Sequence, residues 1–322
     1  MATITTPELS VVVPVYNEAA GLLRFYASLM EVLDGLHTTY EIVFVDDGSH
    51  DASVKVLHGL QEQTRMIRLV VLTRNFGKEI ATTAGIHAAR GTAILTLDAD
   101  GQHPVQRIPD FVAAWRAGAR VVVGLRLSNE REGVLKRYGS KVFYGLFNRF
   151  AGANLVPGAT DFRLIDQSVQ QDFVRITERN RITRGLIDWL GYTPVYIPFR
   201  AHARIAGRAG YSFAKLIKLA IDSVVSLSIS PLYITAYIGA VVLPASTLLG
   251  LGMLANALLG DPLHLHATGG AYLMVFTLFL IGILLVSQGI IGLYLSHIHT
   301  EAQNRPLYVI DADRSKADIH NA

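Results

Sequence analysis

The stretch Leu95-Thr96-Leu97-Asp98-Ala99-Asp100 places two carboxylates, two residues apart, directly after a short apolar run. Such a run predicts a buried strand that ends at acidic residues. Hard cations such as Mg²⁺ and Mn²⁺ prefer a few oxygen ligands and keep positions open for substrate phosphates. An isolated Asp-x-Asp pair is usually a solvated turn, so its position after a strand is what favours a site for a metal and a phosphate.

Strands and helices alternate through the first hundred residues. Strand-like runs at 9–15, 41–45, 68–72 and 93–97 are separated by segments with helical apolar spacing. This alternation predicts a mostly parallel α/β sheet with right-handed crossovers, whose ligands bind beyond the carboxyl ends of the strands. A polar cluster follows each strand, namely Tyr16-Asn17-Glu18, Asp46-Asp47-Gly48-Ser49, Asn75-Phe76-Gly77 and Asp98-Ala99-Asp100. We therefore expect one functional site at that edge.

Two apolar runs, Leu232–Leu259 and Ala271–Leu295, contain no charged residue, and each is long enough to cross a bilayer. The loop between them lacks Lys and Arg, whereas basic residues precede the first run and follow the second. The positive-inside rule then places both termini in the cytoplasm. The predicted organisation is a soluble domain at 1–211, an amphipathic segment at 212–231, a transmembrane hairpin at 232–296 and a cytoplasmic tail at 297–322.

Composition excludes several classes of protein. The net charge is only +3, which argues against a genome-binding protein. The chain has no cysteine, so disulfides and thiolate metal sites are excluded. Residues 1–7 have neither a basic nor an apolar region, so we expect no signal peptide and a large domain that stays in the cytoplasm.

Four motifs in order carry a family resemblance: Val-Pro-Val-Tyr-Asn-Glu at 13–18, Val-Asp-Asp-Gly-Ser at 45–49, Asn-Phe-Gly-Lys at 75–78 and Leu-Asp-Ala-Asp-Gly-Gln at 97–102. They resemble the family 2 glycosyltransferases of GT-A fold. With the two apolar runs, the chain is similar to the polyprenyl-phosphate glycosyltransferases, which include the dolichol-phosphate mannose synthase group and its GtrB-like and ArnC-like bacterial members.

The resemblance implies an inverting, metal-dependent enzyme of the cytoplasmic membrane that uses Mg²⁺ or Mn²⁺. It would transfer one sugar from a nucleotide sugar, UDP-glucose being favoured, to a membrane polyprenyl phosphate. A GDP-mannose-dependent polyprenyl-phosphate mannose synthase is the alternative. The related proteins suggest a homo-oligomer, either a tetramer or a dimer, in which residues 305–310 form an exchanged strand; no nucleic acid is expected as a partner.

The resemblance also implies roles for individual residues. The nucleoside would be held by Pro14, Tyr16, Glu18 and Asp46, with Lys78 near the donor. The metal and the donor diphosphate would be held by Asp98, Asp100 and Gln102. The lipid phosphate would be held by Arg126, Lys136, Arg137, Ser140 and Arg204. Asp161 would act as a base or orient the acceptor, and we favour orientation. The chain departs from the family where Ala209-Gly210 replaces a Ser-Lys pair, which puts one phosphate contact in doubt.

Each motif also has a simpler interpretation. Asn17 would cap the following helix, Asp46-Asp47-Gly48-Ser49 would be a tight acidic turn, and Asp161 would pair with Arg163 or Arg204 to hold a loop. The basic segment at 126–149 would be a solvated face or one lying on anionic lipid.

Two other functions also remain open. A processive polysaccharide synthase would normally carry a Gln-x-x-Arg-Trp motif, which neither Trp115 nor Trp189 belongs to. A non-catalytic membrane scaffold would not need the intact set of Asp98, Asp100 and Gln102.

Overall fold

The computed structural model describes residues 6–127, 156, 158–179, 181–200 and 269–315. The described residues up to 200, together with 305–315, belong to one compact unit, and residues 269–304 belong to a second. Residues 128–149 of the basic segment, the amphipathic segment at 212–231 and the first apolar run lie outside the described residues.

The first unit is built on a seven-stranded sheet. Its strands are β1 (Leu9–Val15), β2 (Tyr40–Asp46), β3 (Ile67–Val71), β4 (Ala93–Thr96), β5 (Val121–Arg126), β6 (Ala159–Asp166) and β7 (Pro194–Phe199). They lie side by side in the order β3-β2-β1-β4-β6-β5-β7. Only β6 runs against its neighbours, β4 and β5, so the expected mostly parallel sheet is confirmed.

The reversed direction of β6 brings its first residues to the carboxyl edge of the sheet. Thr96, the last residue of β4, lies opposite Arg163, so the β6 residues before Arg163 extend past the end of β4. The Thr96 hydroxyl donates a hydrogen bond to the carbonyl of Asp161 at 2.7 Å. Asp161 therefore lies beyond β4, where Asp98 follows the same strand.

Helices cover both faces of the sheet. They are α1 (Ala19–Asp34), α2 (Ser53–Gln63), α3 (Lys78–Ala88), α4 (Ile108–Arg116), α5 (Gln167–Val174) and α6 (Thr183–Trp189). Alternate strand residues enter opposite cores: Val11 belongs to the core that α1, α2 and α4 cover, and Val12 belongs to the core that α3, α5 and α6 cover. This is the two-residue period of a strand buried on both faces.

Helix α3 lies unusually close to the sheet. A Cβ placed on Gly85 would come within 2.2 Å of Val12 Cγ1 in β1. Only glycine allows this approach, which fixes the position of α3 and therefore of Lys78 at its first residue.

Residues near the C-terminus pair with the chain at the carboxyl end of β3 and just after it. Ile310 bridges to Leu72 in antiparallel fashion, and the Asp311 N–H donates to the Val71 carbonyl at 2.8 Å. Helix α8 (Ala312–Ser315) follows, and the fully buried Ser315 accepts the Val71 N–H at 3.0 Å. In this structure the segment pairs with its own chain, and the exchanged strand stays a prediction about assemblies.

The second unit contributes helix α7 (Gly269–Ala302), 34 residues long, which includes the second apolar run. The helical conformation expected for that run is thus observed. Within the ranges that the structure describes, no helix is identified that is long and apolar enough to cross a membrane.

Candidate active site

The loops after β1 and β2 are joined to each other by hydrogen bonds. The Asn17 N–H donates to Ser49 Oγ, and Asn17 Oδ1 accepts from the His50 N–H, both at 2.9 Å. The Glu18 N–H donates to Ser53 Oγ at 3.0 Å. Asn17 has a positive φ of 55°, and α1 begins after Glu18 with no side-chain cap. The interpretation of Asn17 as a helix cap is therefore wrong, because its amide tethers the neighbouring loop instead.

Asp46 ends β2 and is completely buried. Its Oδ2 accepts the Ser49 N–H at 2.9 Å, whereas its Oδ1 is buried and has no hydrogen-bond partner among the described residues. An unsatisfied carboxylate oxygen in a protein interior is costly, and such groups concentrate at functional sites. Asp46 thus keeps one carboxylate oxygen that the described residues do not satisfy, and its role in holding the nucleoside stays a prediction.

Asp47 shapes the loop before α3, a role that the sequence analysis missed. Its two carboxylate oxygens accept the N–H groups of Phe76 and Gly77 at 2.8 and 2.9 Å. Burial raises the pKa of this carboxyl more than these two bonds lower it. Gly48 beside it has φ +68°, and a Cβ there would lie 2.4 Å from the backbone carbon of Arg74. The Asp-Asp-Gly-Ser turn is therefore a support for the loop that leads to Lys78.

Lys78 joins the two acids that the reversal of β6 brings together. Its Nζ lies 2.7 Å from Asp98 Oδ1 and 2.9 Å from Asp161 Oδ2. We call Lys78, Asp98 and Asp161 the ionic cluster. Burial alone would lower the pKa of the Lys78 ammonium, but the two carboxylates outweigh burial and raise it. Lys78 is therefore a permanent cation, and its side chain remains 44% exposed to solvent.

Asp161 stays ionised within this cluster. Burial opposes its charge, but Lys78, followed by Arg184 and Arg163, more than compensates and lowers the pKa of the carboxyl. Arg163 itself forms an ion pair with Asp188, at 2.6 Å between Nη1 and Oδ1. The proposed Asp161–Arg163 pair is therefore wrong, because the partner of Asp161 is Lys78; Arg204 lies outside the described residues.

A tight turn carries Asp98, Asp100 and Gln102 after β4. The Gln102 N–H donates to Asp100 Oδ1 at 3.0 Å, and Gly101 between them has φ 74°. His103 closes the turn by accepting the Asp98 N–H at Nδ1, at 3.2 Å, while its ring stacks on Phe162 at 5.3 Å between centroids. Burial lowers the pKa of His103, which keeps the imidazole neutral and able to accept. No sequence pattern singles out His103, which simply follows Gln102 in the chain.

The turn offers a divalent cation two carboxylates, which is fewer ligands than a complete metal site made of protein side chains. Among the residues described, no group of three or more His, Asp or Glu side chains is arranged to hold a metal. Mg²⁺, however, is commonly bound through one or two carboxylates, with water and substrate phosphates completing its shell. Asp98 and Asp100 supply such a pair of hard oxygen ligands, and they are compatible with an ion that arrives with a phosphorylated substrate.

The other predicted site residues are distributed as follows. Pro14 is buried within β1, opposite Val45, and Tyr16 is 43% exposed just after the strand. Arg126 ends β5, which runs parallel to β4, so it lies at the same edge of the sheet. The remaining members of the predicted lipid-phosphate set lie outside the described residues: Lys136, Arg137, Ser140 and Arg204.

Comparison with known proteins identifies the family. The model of glycosyl transferase family 2 matches residues 10–173, a range that contains all four motifs and the ionic cluster. The chain belongs to glycosyltransferase family 2. It is therefore a glycosyltransferase, and the enzyme predicted from the motifs is confirmed at that level.

Relatives match over nearly the whole chain. An uncharacterized glycosyltransferase of Synechocystis is 39% identical over 95% of this chain and 95% of its own length. The bactoprenol glucosyl transferase of Shigella phage SfV is 34% identical over 96% of this chain and 100% of its own length. A prophage bactoprenol glucosyl transferase homolog of Escherichia coli is also 34% identical, over 94% and 98%.

A solved structure supports the fold. The mannosyl-3-phosphoglycerate synthase of Rubrobacter xylanophilus superposes with a TM-score of 0.50 and 17% sequence identity, over 68% of this chain and 72% of that one. At this identity the likeness concerns the architecture alone, and it agrees with the GT-A-like α/β fold expected from the motifs.

Proposed function

We propose that this family 2 glycosyltransferase transfers one sugar from a nucleotide sugar, UDP-glucose in the first instance, to the phosphate of a membrane polyprenyl phosphate. The observation that carries the proposal is the ionic cluster, in which Lys78 holds Asp98 and Asp161 together beyond the strand ends. The full-length similarity to bactoprenol glucosyl transferases supports glucose as the sugar and a polyprenyl phosphate as the acceptor.

The nucleotide sugar is proposed to bind along the loops after β1 and β2. Asp46 would accept a nucleobase N–H with its unpartnered Oδ1, which would remove the cost of a buried unsatisfied oxygen. Tyr16, which is exposed beside it, offers an aromatic surface to the nucleoside. The hydrogen bonds between the two loops hold this surface in place before the donor arrives.

The diphosphate of the donor is proposed to lie over Asp98, Asp100 and Gln102. Mg²⁺ or Mn²⁺ held there would neutralise the negative charge that develops on the departing nucleoside diphosphate. The Lys78 ammonium lies against Asp98 and adds a fixed positive charge in the same place. Its role is to stabilise the leaving group and to keep Asp98 in position.

The acceptor requires little help from a base. A phosphate monoester has a second pKa of about 6, so it is largely dianionic at neutral pH. One of its oxygens would attack the anomeric carbon, and the bond from that carbon to the diphosphate oxygen would break with inversion. Asp161, held in an ion pair with Lys78, is a weak base. We assign Asp161 to orienting the acceptor. The residues that we propose to bind the lipid phosphate are Arg126, Lys136, Arg137, Ser140 and Arg204.

The lipid acceptor implies a membrane location. The charge-free runs Leu232–Leu259 and Ala271–Leu295 are proposed to form a transmembrane hairpin in the cytoplasmic membrane, with both termini and the catalytic unit in the cytoplasm. A homo-oligomer, tetramer or dimer, is proposed on the resemblance alone.

A lipid-extraction assay tests this function. Membranes that contain the protein are incubated with polyprenyl phosphate and, in separate reactions, radiolabelled UDP-glucose, UDP-galactose and GDP-mannose. We expect label in the lipid fraction with UDP-glucose, as a product that carries a single sugar, and none when the Asp98→Ala variant replaces the wild type. A labelled polymer would indicate a processive synthase instead, label only from GDP-mannose would indicate a mannose synthase, and no lipid product from any donor would indicate a non-catalytic scaffold.

A further inference from the structure

Arg184 is a half-buried arginine on α6 whose charge the reaction described above does not use. Its guanidinium makes no hydrogen bond or ion pair with any residue in the described part of the chain, whereas the Arg163 guanidinium nearby binds Asp188 and two backbone carbonyls. Arg184 lies close enough to Asp161 to contribute, after Lys78, to the lowered pKa of that carboxyl. A cation of this kind beside Asp161 is available for an anion that arrives from outside.

The backbone around Arg184 is fixed on the side of helix α3. The Thr183 N–H donates to Glu79 Oε2 at 2.8 Å, and the Thr183 hydroxyl donates to the Glu79 carbonyl at 3.4 Å. Glu79 follows Lys78 directly in the chain, and burial, followed by the negative charge of Asp161, raises its pKa. The start of α6 is therefore attached to the helix turn that carries the lysine of the ionic cluster.

The same helix is also fixed on the side of β6. Arg163 Nη1 donates to the Arg184 carbonyl at 3.3 Å and to Asp188 Oδ1 at 2.6 Å. Arg163 Nε donates to the Thr160 carbonyl at 3.0 Å, so the same guanidinium also holds the backbone next to Asp161. Two independent sets of contacts thus keep Arg184 beside the reacting groups.

The net charge of the ionic cluster favours an anion-binding role for Arg184. Lys78 is shared between Asp98 and Asp161, so the ionic cluster has one more negative charge than positive charges. Both substrates of the proposed reaction are anions, and two carboxylates would repel them. A guanidinium is suited to a phosphate because its planar N–H groups bind two oxygens at once and remain charged at any working pH.

We propose that the Arg184 guanidinium binds a phosphate group of a substrate beside Asp161. This inference rests on the proposed function, because that function supplies two phosphorylated substrates. The position next to Asp161, which we assign to the acceptor, favours the lipid phosphate over the donor diphosphate. Glu79 acts as a positioning residue that holds the arginine through Thr183.

Binding measurements on the purified full-length protein test the proposal without turnover. The probes are UDP in solution and a long-chain polyprenyl phosphate in nanodiscs, and the variants are Arg184→Gln and Arg184→Lys. We expect Arg184→Gln to weaken the binding of one probe by about tenfold or more, the loss typical of a hydrogen bond between charged groups. Arg184→Lys should recover part of that affinity because it retains the charge. The probe that loses affinity identifies the phosphate.

The matched control is Arg175→Gln, which removes the same charge from an arginine directly after α5 that is 80% exposed and lies 3.5 Å from Asp172. If the Arg184→Gln variant binds both probes with the same affinity as the Arg175→Gln variant, the proposal is overturned. A melting temperature of Arg184→Gln equal to that of the wild type excludes a general loss of folding. A wild-type protein that binds both probes but forms no lipid-linked sugar would contradict the proposed function, while the comparison of the variants would still decide the role of Arg184.

Discussion

The loops after β1 and β2 differ from the ionic cluster in how their acids are stabilised, although both lie at the carboxyl edge of the sheet. Asp46 and Asp47 are buried and accept hydrogen bonds from backbone N–H groups. Asp98 and Asp161 instead share the side chain of one half-exposed lysine. Backbone donors are fixed by the fold, whereas a side-chain ammonium can exchange partners when a metal or a phosphate enters. The first region is therefore a rigid support, and we propose that the second is the part that responds to substrates.

The largest expected effect comes from the acids of the ionic cluster and its adjoining turn. Asp98→Ala or Asp100→Ala should lower the rate of lipid-linked sugar formation by about a thousandfold or more, because metal-assisted charge stabilisation contributes several kcal/mol. Asp161→Asn should retain more activity, since we assign that residue to orientation. Initial rates in the lipid-extraction assay decide this. An inactive Asp161→Asn, together with substantial activity in the other two variants, would reverse the assignment.

The lysine between the acids should have the next largest effect. Lys78→Met removes the cation next to the leaving group and leaves Asp98 and Asp161 without a shared partner, so we expect kcat to fall about a hundredfold, as for the loss of one transition-state donor. Lys55→Met, on the exposed face of α2, is the matched control and should behave as the wild type. Rates of Lys78→Met within a few fold of the wild type would mean that the ion pairs do not serve catalysis.

Substitutions in the turn after β2 should change the stability of the fold. Gly48→Ala places a Cβ at φ +68° and 2.4 Å from the Arg74 backbone, which should destabilise the fold by about 2 kcal/mol or more. Gly59→Ala, in α2 with open space around it, should be neutral or stabilising by up to about 1 kcal/mol. Melting temperatures of the two variants give the comparison, and equal values would contradict the account of the Asp-Asp-Gly-Ser turn.

The smallest expected effect is on the pH dependence of folding stability, and it comes from His87, which lies outside the ionic cluster. Burial, assisted by Arg181, lowers the pKa of His87 to about 4 in the folded chain, where its Nδ1 lies 3.1 Å from the Tyr308 hydroxyl. Its ordinary pKa is about 6.5. The unfolded chain therefore takes up a proton first as the pH falls, and this contribution to stability, complete above about pH 6.5, is lost towards pH 4.

His87→Gln should remove part of that pH dependence. The measurement is the change in melting temperature between neutral and mildly acidic buffer, which we expect to be smaller in the variant than in the wild type. His58→Gln, in which a histidine of α2 is replaced, is the control. An identical loss of stability in wild type and His87→Gln would show that other groups cause the acid sensitivity.

Much of this fold and part of its site follow from local patterns. The alternation of strands and helices predicts the four parallel strands, and the rule that ligands lie beyond carboxyl ends places Asp46 and Asp98 at one edge. The family motif adds Lys78. These predictions succeed because each depends on segments that are close in sequence and on the regular geometry of a parallel sheet.

The contacts between distant segments could not be predicted in the same way. The Lys78–Asp161 pair depends on the antiparallel insertion of β6 between β4 and β5, which no local spacing announces. The Arg163–Asp188 pair and the Thr183–Glu79 bond depend on the packing of α6, whose seven residues carry no periodic signal. His103 was missed because nothing in the neighbouring sequence distinguishes a buried histidine that accepts a backbone N–H from an exposed one.

The pairing of Ile310 with Leu72 has a consequence for handling the protein. An uncovered outer strand exposes a row of free amide and carbonyl groups that invites association with other chains. Residues 309–311 pair with residues 71–73 at the carboxyl end of β3, and Ser315 accepts the Val71 N–H at the same end. Shortening the chain before Arg305 would therefore create an aggregation-prone flank on an otherwise intact catalytic unit, and an affinity tag is better placed at the opposite terminus.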